Sequence, residues 1–69
     1  MNNQSKNSQA IADIQIDAEE IFGSVEKAIN WFNAHNLALN ATPISLLKTD
    51  AGITEVQQVL NAIKYGGVV

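Results

Sequence analysis

The residues with the clearest capacity for chemistry are three carboxylates in the first third of the chain. Asp13, Asp17 and Glu20 recur at spacings of four and three residues, which places them on one stripe of a helix. Carboxylates in such a row can bind a divalent cation, but calcium needs six to eight oxygen ligands around it. Three acids on one exposed stripe cannot surround the ion, so we interpret them as a solvated helix face.

No set of residues in the sequence forms a catalytic constellation. His35 is the only histidine, and the sequence nominates no nucleophile or carboxylate to act with it. Trp31 is open to two interpretations, a binding hot spot or a core residue with its indole N–H at the core's edge, and we favour the core. The chain has no cysteine, which excludes disulfides and thiolate metal sites. We therefore expect no enzyme, no cofactor and no metal site.

Size and charge restrict the partners. The chain has 69 residues, a net charge of −3, and lysine but no arginine. Because nucleic-acid binders present a basic face and use arginine for base contacts, we expect no direct nucleic-acid binding. No apolar run approaches the roughly 18–20 residues that span a membrane, and no apolar signal segment opens the chain, so we expect a cytoplasmic location and no membrane partner. Small folds often depend on a partner or on self-association, so a homo-oligomer is also considered.

Helical periodicity predicts an all-α fold, a small single-domain bundle of about four helices, one of them very short. Residues 1–9 are polar and predict a disordered arm, which leaves residues 10–69 as the domain. The predicted helices run over about Ser8–Phe22, Val25–His35, Pro43–Lys48 and Asp50–Lys64. No stretch alternates with a period of two, so no sheet is expected.

The stretch from Asn36 to Gly52 contains the clearest signals for helix starts. Thr42 suits an N-cap whose side chain accepts a hydrogen bond, and Pro43 suits the first helical position. Thr49 offers a second N-cap seven residues after Thr42. We interpret the short helix between them as a pivot on which the flanking helices pack, and Gly52 permits close packing against it.

Further local signals set the ends and inner faces of the other helices. Gly23 suits the left-handed position after the first helix, and Ser24 suits the N-cap of the second. The apolar residues expected to face the core are Ile11, Ile14, Ala18, Ile21, Phe22, Val25, Ala28, Ile29, Phe32, Leu37, Leu39, Ile44, Leu46, Leu47, Ile53, Val56, Leu60 and Ile63.

The order of these motifs resembles a known family. The motifs are Ile21-Phe22-Gly23, Glu26-Lys27-Ala28, Trp31-Phe32, Asn36-Leu37-Ala38-Leu39, Thr42-Pro43, Leu46-Leu47, Thr49, Gly52, Val56, Leu60, Ile63 and Tyr65-Gly66. From about Ile14 to Val68 the series resembles the C-terminal toxin-binding domain of the Xre/MbcA/ParS antitoxin family. The residues taken as its structural motif are Phe22, Gly23, Trp31, Thr42, Pro43, Leu46, Leu47, Gly52 and Leu60.

The resemblance implies the inhibitor of a bacterial toxin–antitoxin system. Antitoxins of this family bind and neutralise RES-domain toxins, which consume NAD or transfer its ADP-ribose. In the family, the end of the antitoxin lies at the toxin's active-site cleft and hinders NAD access. The matching toxin-binding residues here are Lys64, Tyr65, Gly66, Gly67, Val68 and Val69. Glycines would let the backbone approach closely, and the tyrosine and valines would supply apolar contact.

Three features depart from the family pattern. Members usually carry an N-terminal helix-turn-helix domain that binds DNA, whereas only a short arm precedes the first helix here, so a DNA-binding role is not carried over. Asn40 and Ala41 stand where the family often has glycine and a basic residue. The absence of arginine weakens any inference about particular salt bridges. The alternative function is a small adaptor or dimerisation module without direct DNA binding.

Overall fold

Four helices make up the part of the chain that the computed structural model describes, which is residues 3–66, with side chains from residue 8 onward. The helices are α1 (Asn3–Phe22), α2 (Val25–Asn33), α3 (Pro43–Leu46) and α4 (Asp50–Lys64). Residues 3–66 contain no strand, only an isolated antiparallel bridge between Asn36 and Ala41. The predicted all-α bundle with one very short helix is confirmed.

Three helix ends differ from the prediction. α1 begins at Asn3 and not near Ser8, so it overlaps the polar segment predicted to be disordered. Glutamine and lysine in this segment have good helix propensity, so polarity alone does not end the helix. α2 ends at Asn33, because Ala34 adopts an extended conformation with ψ of 146°, and α3 stops at Leu46. Residues 1 and 2 lie outside the described residues, and the division into an arm (1–9) and a domain (10–69) stays a prediction.

The junction between α1 and α2 forms as the local signals predicted. Gly23 has φ of 93°, in the left-handed region that favours glycine, and its N–H donates to the Glu19 carbonyl at 2.9 Å. The Ser24 hydroxyl oxygen then accepts a hydrogen bond from the Lys27 N–H at 3.1 Å. The chain therefore turns between the two helices with its free backbone groups at the turn satisfied.

The two threonine caps behave differently. Thr49 caps α4 as predicted, its hydroxyl oxygen accepting from the Gly52 N–H at 3.0 Å. Thr42 occupies the N-cap position before Pro43, but the prediction that its side chain makes the capping bond is wrong. The Ser45 N–H, the donor such a cap would bind, already donates to the Thr42 carbonyl oxygen at 3.1 Å. In a four-residue helix that opens with proline, no further donor is placed for the Thr42 hydroxyl.

This difference predicts unequal effects for one substitution made at two sites. Thr49→Ala should lower the free energy of unfolding by about 1 kcal/mol, because the Gly52 N–H loses its partner. Thr42→Ala removes no capping bond and should change stability by less than about 0.5 kcal/mol. Chemical denaturation of the two variants measures both values. Equal losses would show that the Thr49 hydrogen bond contributes nothing specific.

The helices pack in a closed ring. α1 packs against α2 and α4, and α3 packs against the same two helices from the other side. The short helix therefore joins its flanking neighbours, as the pivot interpretation predicted. The buried apolar side chains in the centre are Ile14, Ala18, Ala28, Phe32, Ile53, Val56 and Leu60.

Several residues predicted to face the core are exposed. Val25 and Ile29 are 55% and 53% exposed, Ile44 46%, Ile63 42% and Leu37 90%. α2 contacts only α1 and α3, and its buried side chains are Ala28 and Phe32, so its apolar face is wider than its contact surface. Leu37 lies in the turn between α2 and α3 and, unlike Leu39, does not pack against the core.

Leucine-to-alanine substitutions at two positions test this assignment of the core. Leu47 is half-buried against the core, and its truncation should cost about 2 kcal/mol, near the lower end for buried leucines. Leu37→Ala should change the free energy of unfolding by less than about 0.5 kcal/mol, because the side chain is already in solvent. Thermal denaturation compares the two. Similar melting temperatures for both variants would mean that Leu47 does not support the core.

Candidate functional site

The C-terminal end of α4 is the first part of the candidate site. The Tyr65 N–H donates to the Asn61 carbonyl oxygen at 3.0 Å, and the Gly66 N–H donates to the Ile63 carbonyl oxygen at 3.2 Å. Gly66 has φ of 83°, a conformation that glycine adopts without strain. The helix therefore ends at the predicted place. The remaining predicted toxin-binding residues, Gly67, Val68 and Val69, lie outside the described residues.

The end of α4 presents exposed apolar surface. Tyr65 is 72% exposed, and the Lys64 ammonium nitrogen lies 5.8 Å from the centroid of its ring. A groove of about 410 Å³ lies beside it between the ends of α1 and α4, lined by Glu20, Ile21, Ile63 and Lys64. Exposed aromatic rings next to aliphatic side chains are favoured contact points at protein interfaces. The three described members of the predicted toxin-binding segment thus form one accessible surface.

The predicted structural-motif residues support the fold behind this surface. The Trp31 ring lies between Phe22 and Phe32, with centroid distances of 5.5 and 5.2 Å, and is half-buried against the core. Leu60 and Pro43 are among the most deeply buried side chains. These contacts join α1 to α2 and position α3, which fixes the direction in which α4 extends. The interpretation of Trp31 as a core residue agrees with this packing.

Gly52 explains how α3 approaches α4. A β-carbon built on Gly52 would overlap the carbonyl oxygen of Leu46 and lie 2.8 Å from the carbonyl carbon. Glycine at this buried position therefore lets the backbones of α3 and α4 come into direct contact, as the sequence predicted. The geometry makes Gly52 a packing residue rather than part of the exposed surface.

The acidic stripe on α1 is partly structural. Asp13 and Glu20 are exposed, but Asp17 is half-buried and accepts a hydrogen bond from the Gln57 side-chain amide at 3.1 Å. The interpretation of all three as solvated is therefore wrong for Asp17, which links α1 to α4. Among residues 8–66, no group of three acidic or histidine side chains is arranged to hold a metal ion, and no polar side chain is buried.

The linker turn has a residue that suits its conformation. The Asn36 side-chain oxygen accepts from the Leu39 N–H at 3.1 Å, and the Asn36 carbonyl accepts from the Asn40 N–H at 2.7 Å. Asn40 has φ of 57°, and asparagine adopts this left-handed region more readily than most residues other than glycine. Asparagine at position 40 therefore takes up this turn conformation with less strain than most other residues that carry a side chain.

A second exposed surface was missed by the sequence interpretation. A groove of about 250 Å³ opens between α1, α2 and α3, and we call it the apolar groove. Its lining residues are Gln15, Glu19, Val25, Ala28, Ile29, Phe32, Asn33 and Ile44. Val25 and Ile29, four residues apart beside the buried pair Ala28 and Phe32, were the sequence signal for it. These two residues give α2, a helix of nine residues, more apolar surface than its neighbours α1 and α3 cover.

Comparison with known proteins identifies the family. The family model of the antitoxin Xre/MbcA/ParS C-terminal toxin-binding domain matches residues 17–66, well over half of the chain. The chain belongs to this family, which confirms the resemblance read from the motif order. No curated protein and no solved structure matches the chain. Within residues 3–66, no helix is both long enough and apolar enough to cross a membrane.

The family defines the class of function. The chain is a toxin-binding antitoxin domain, and its partner is therefore a toxin protein. The matched region ends at residue 66, at the end of α4 where Tyr65 is exposed. The site described above consequently lies inside the toxin-binding domain.

Proposed function

We propose that the chain neutralises a RES-domain toxin, one that consumes NAD or transfers its ADP-ribose. In this proposal residues Lys64 to Val69 lie at the toxin's active-site cleft and hinder the entry of NAD. The chain itself catalyses nothing, requires no cofactor and acts in the bacterial cytoplasm. The antitoxin family supports a toxin partner, and the family resemblance supports the RES class as the more specific choice.

The observation that carries the proposal is the exposed end of α4. Tyr65 offers a mostly exposed aromatic ring, and Ile63, the last residue but one of α4, adds a partly exposed aliphatic side chain. Gly66 adopts a left-handed conformation, so the chain leaves the helix axis at this point. A segment that leaves a rigid helix in this way can enter a cleft while the rest of the domain remains outside.

The proposed inhibition is steric. An inhibitor that occupies a cleft needs contact area and a fixed position, not reactive groups. Tyrosine supplies a large contact area with few rotatable bonds, and Gly66 and Gly67 have no side chain to prevent close approach of the backbone. Lys64 keeps a positive charge next to the Tyr65 ring, which supports the orientation of the ring. These properties suit a segment that fills the toxin's active-site cleft and prevents NAD from entering, without itself being modified by the toxin.

Binding to a purified RES-domain toxin tests the proposal. We expect a stable complex by calorimetric titration and by co-purification of the two proteins. Tyr65→Ala should weaken binding at least tenfold, since buried tyrosines are frequent hot spots whose loss costs about 2 kcal/mol or more. Leu37→Ala, which truncates an even more exposed side chain in the α2–α3 turn, should bind as tightly as the unmodified chain.

The outcomes separate the parts of the proposal. Equal binding by Tyr65→Ala and the unmodified chain would contradict the assignment of the α4 end as the contact site. Failure of the folded chain to bind would contradict the RES partner, and would favour the adaptor function. Circular dichroism of each variant establishes that the compared chains are folded.

A further inference from the structure

The ends of α1 and α4 lie side by side. The hydrogen bond between Asp17 and Gln57 joins the two helices, and further along both of them Ile21 and Ile63 line the groove between their ends. Because the residue numbers of these pairs rise together, α1 and α4 run in the same direction. The end of α1 is therefore next to the proposed toxin contact, and a toxin that binds Tyr65 also approaches α1.

The groove between these two ends, which we call the α1–α4 groove, combines aliphatic and charged side chains. Ile21 and Ile63 line it together with Glu20 on the α1 side and Lys64 on the α4 side. Both charged residues are exposed. The Lys64 ammonium nitrogen lies 5.8 Å from the centroid of the Tyr65 ring, so its charge is already in contact with an aromatic face. The Glu20 carboxylate is consequently the charge of the groove that is best placed to bind a group from another molecule.

The position of Glu20 is unfavourable for the helix that carries it. α1 ends at Phe22, and its last turn contains Glu19 and Glu20 but no basic residue. The C-terminal end of a helix has a partial negative charge, which favours cations and disfavours carboxylates. α4 follows this rule, with Asp50 in its first turn and Lys64 in its last. Departures from local rules at exposed positions are typical of functional sites, and a cation from a partner would compensate for this one.

The substrate of the proposed toxin indicates which partner group would meet Glu20. NAD contains a negatively charged pyrophosphate, so a cleft that binds it needs positively charged donors. Arginine is over-represented where phosphates are bound, and its planar head binds a carboxylate through the same pair of parallel hydrogen bonds. Its methylene groups can also pack on aliphatic surface while the head remains in a polar environment. An arginine therefore suits both kinds of side chain that line the α1–α4 groove.

We propose that the α1–α4 groove is a second part of the toxin contact, in which an arginine at the edge of the toxin's NAD cleft packs on Ile21 and Ile63 and donates hydrogen bonds to the Glu20 carboxylate. The inference rests on the proposed neutralisation of a RES-domain toxin and adds a contact on a second helix. The matched toxin-binding domain begins at residue 17, so it includes the end of α1 that carries Glu20. Contacts on two helices fix the orientation of the domain, which directs the segment that begins at Lys64 into the cleft.

The electrostatics of the whole chain support this partner. The chain has a net charge of −3, so it is attracted to a cleft that is positively charged for NAD. An ion pair at the edge of an interface acts mainly on the association rate, and salt screens it. We therefore expect the association rate of the two proteins to fall as the salt concentration rises, and to fall less steeply when Glu20 is neutral.

Association and dissociation rates with a purified RES-domain toxin, measured by surface plasmon resonance, test the contact. Glu20→Gln keeps the size of the side chain, removes its charge and should weaken affinity about tenfold. Glu20→Lys sets a cation against the arginine and should weaken affinity at least about a hundredfold, mainly through slower association. Glu55→Lys makes the same change of charge at an exposed residue of α4 outside the groove, and should alter affinity by less than about fivefold.

A stability measurement separates a contact residue from a structural one. Lysine suits the last turn of a helix better than glutamate, so Glu20→Lys should melt at the same temperature as the unmodified chain or at a higher one. Weaker binding by a variant of undiminished stability is the expected result. Weaker binding together with a melting temperature well below that of Glu55→Lys would overturn the inference, because Glu20 would then act through the fold.

The outcomes distinguish this inference from the proposed function. If the unmodified chain binds the toxin and Tyr65→Ala weakens binding, the proposed function stands. Glu20→Lys that binds as tightly as Glu55→Lys would then overturn the α1–α4 contact alone. Failure of the unmodified chain to bind the toxin would overturn both.

Discussion

Replacing Gly52 with alanine is expected to lower the free energy of unfolding by about 3 kcal/mol or more, enough to unfold so small a domain. The added β-carbon would overlap the Leu46 carbonyl oxygen, which belongs to the backbone and cannot rotate away like a side chain. Alanine improves helix propensity by about 1 kcal/mol over glycine, but this gain is smaller than the cost of separating α3 from α4. Chemical denaturation followed by circular dichroism measures the net effect.

The reverse substitution at the preceding residue, Ala51, provides the matched control. Ala51 is exposed in the same turn of α4, and Ala51→Gly should cost at most about 1 kcal/mol through backbone entropy alone. A Gly52→Ala variant as stable as the unmodified chain would contradict the close approach of the two helices.

Removing residues 66–69 is expected to abolish toxin neutralisation while the domain stays folded. Tyr65 remains in this variant, so the experiment measures the contribution of the last four residues. If they fill the cleft, affinity for the RES-domain toxin should fall at least about a hundredfold, a loss of about 2.7 kcal/mol. The melting temperature should change little, because the core side chains lie between Ile14 and Leu60. Titration and thermal denaturation of the same preparation measure both properties.

A deletion of equal length at the other end of the chain is the control. Residues 1–4 are not part of the proposed toxin contact and precede every side chain of the described core in sequence. Their removal should therefore preserve affinity. If the chain without residues 66–69 neutralises the toxin as well as the full chain, inhibition does not work through the C-terminal end.

The local signals in the sequence predicted much of the fold because they depend on near neighbours. Gly23, Ser24 and Thr49 act within three or four residues of their own positions, and each has the conformation or hydrogen bond expected of it. Thr42 shows the limit of this approach. Threonine is a residue type that suits an N-cap. Whether its hydroxyl finds a backbone N–H donor depends on the adjacent proline and on the shortness of α3, and the N-cap preference of a single residue type does not take these neighbours into account.

Burial was less predictable because it depends on which elements become neighbours. Periodicity identified an apolar face on α2, and Val25 and Ile29 were therefore expected in the core. Periodicity could not show that α4 packs against α1 and α3 and not against α2, which leaves both side chains about half exposed. The polar composition of residues 1–9 led likewise to the prediction of a disordered arm, although a helix can extend through polar residues, and α1 begins at Asn3. The site residues Lys64, Tyr65 and Gly66 were chosen from the family pattern, since an exposed helix end has no distinctive period or composition.

NAD consumption by a RES-domain toxin, measured with and without the purified chain, tests the central claim most directly. We predict that the toxin alone consumes NAD, that the chain alone consumes none, and that a molar equivalent of the chain suppresses the loss. The Leu37→Ala variant should suppress it equally, and the chain lacking residues 66–69 should not. Undiminished NAD loss in the presence of excess folded chain would contradict the proposed neutralisation.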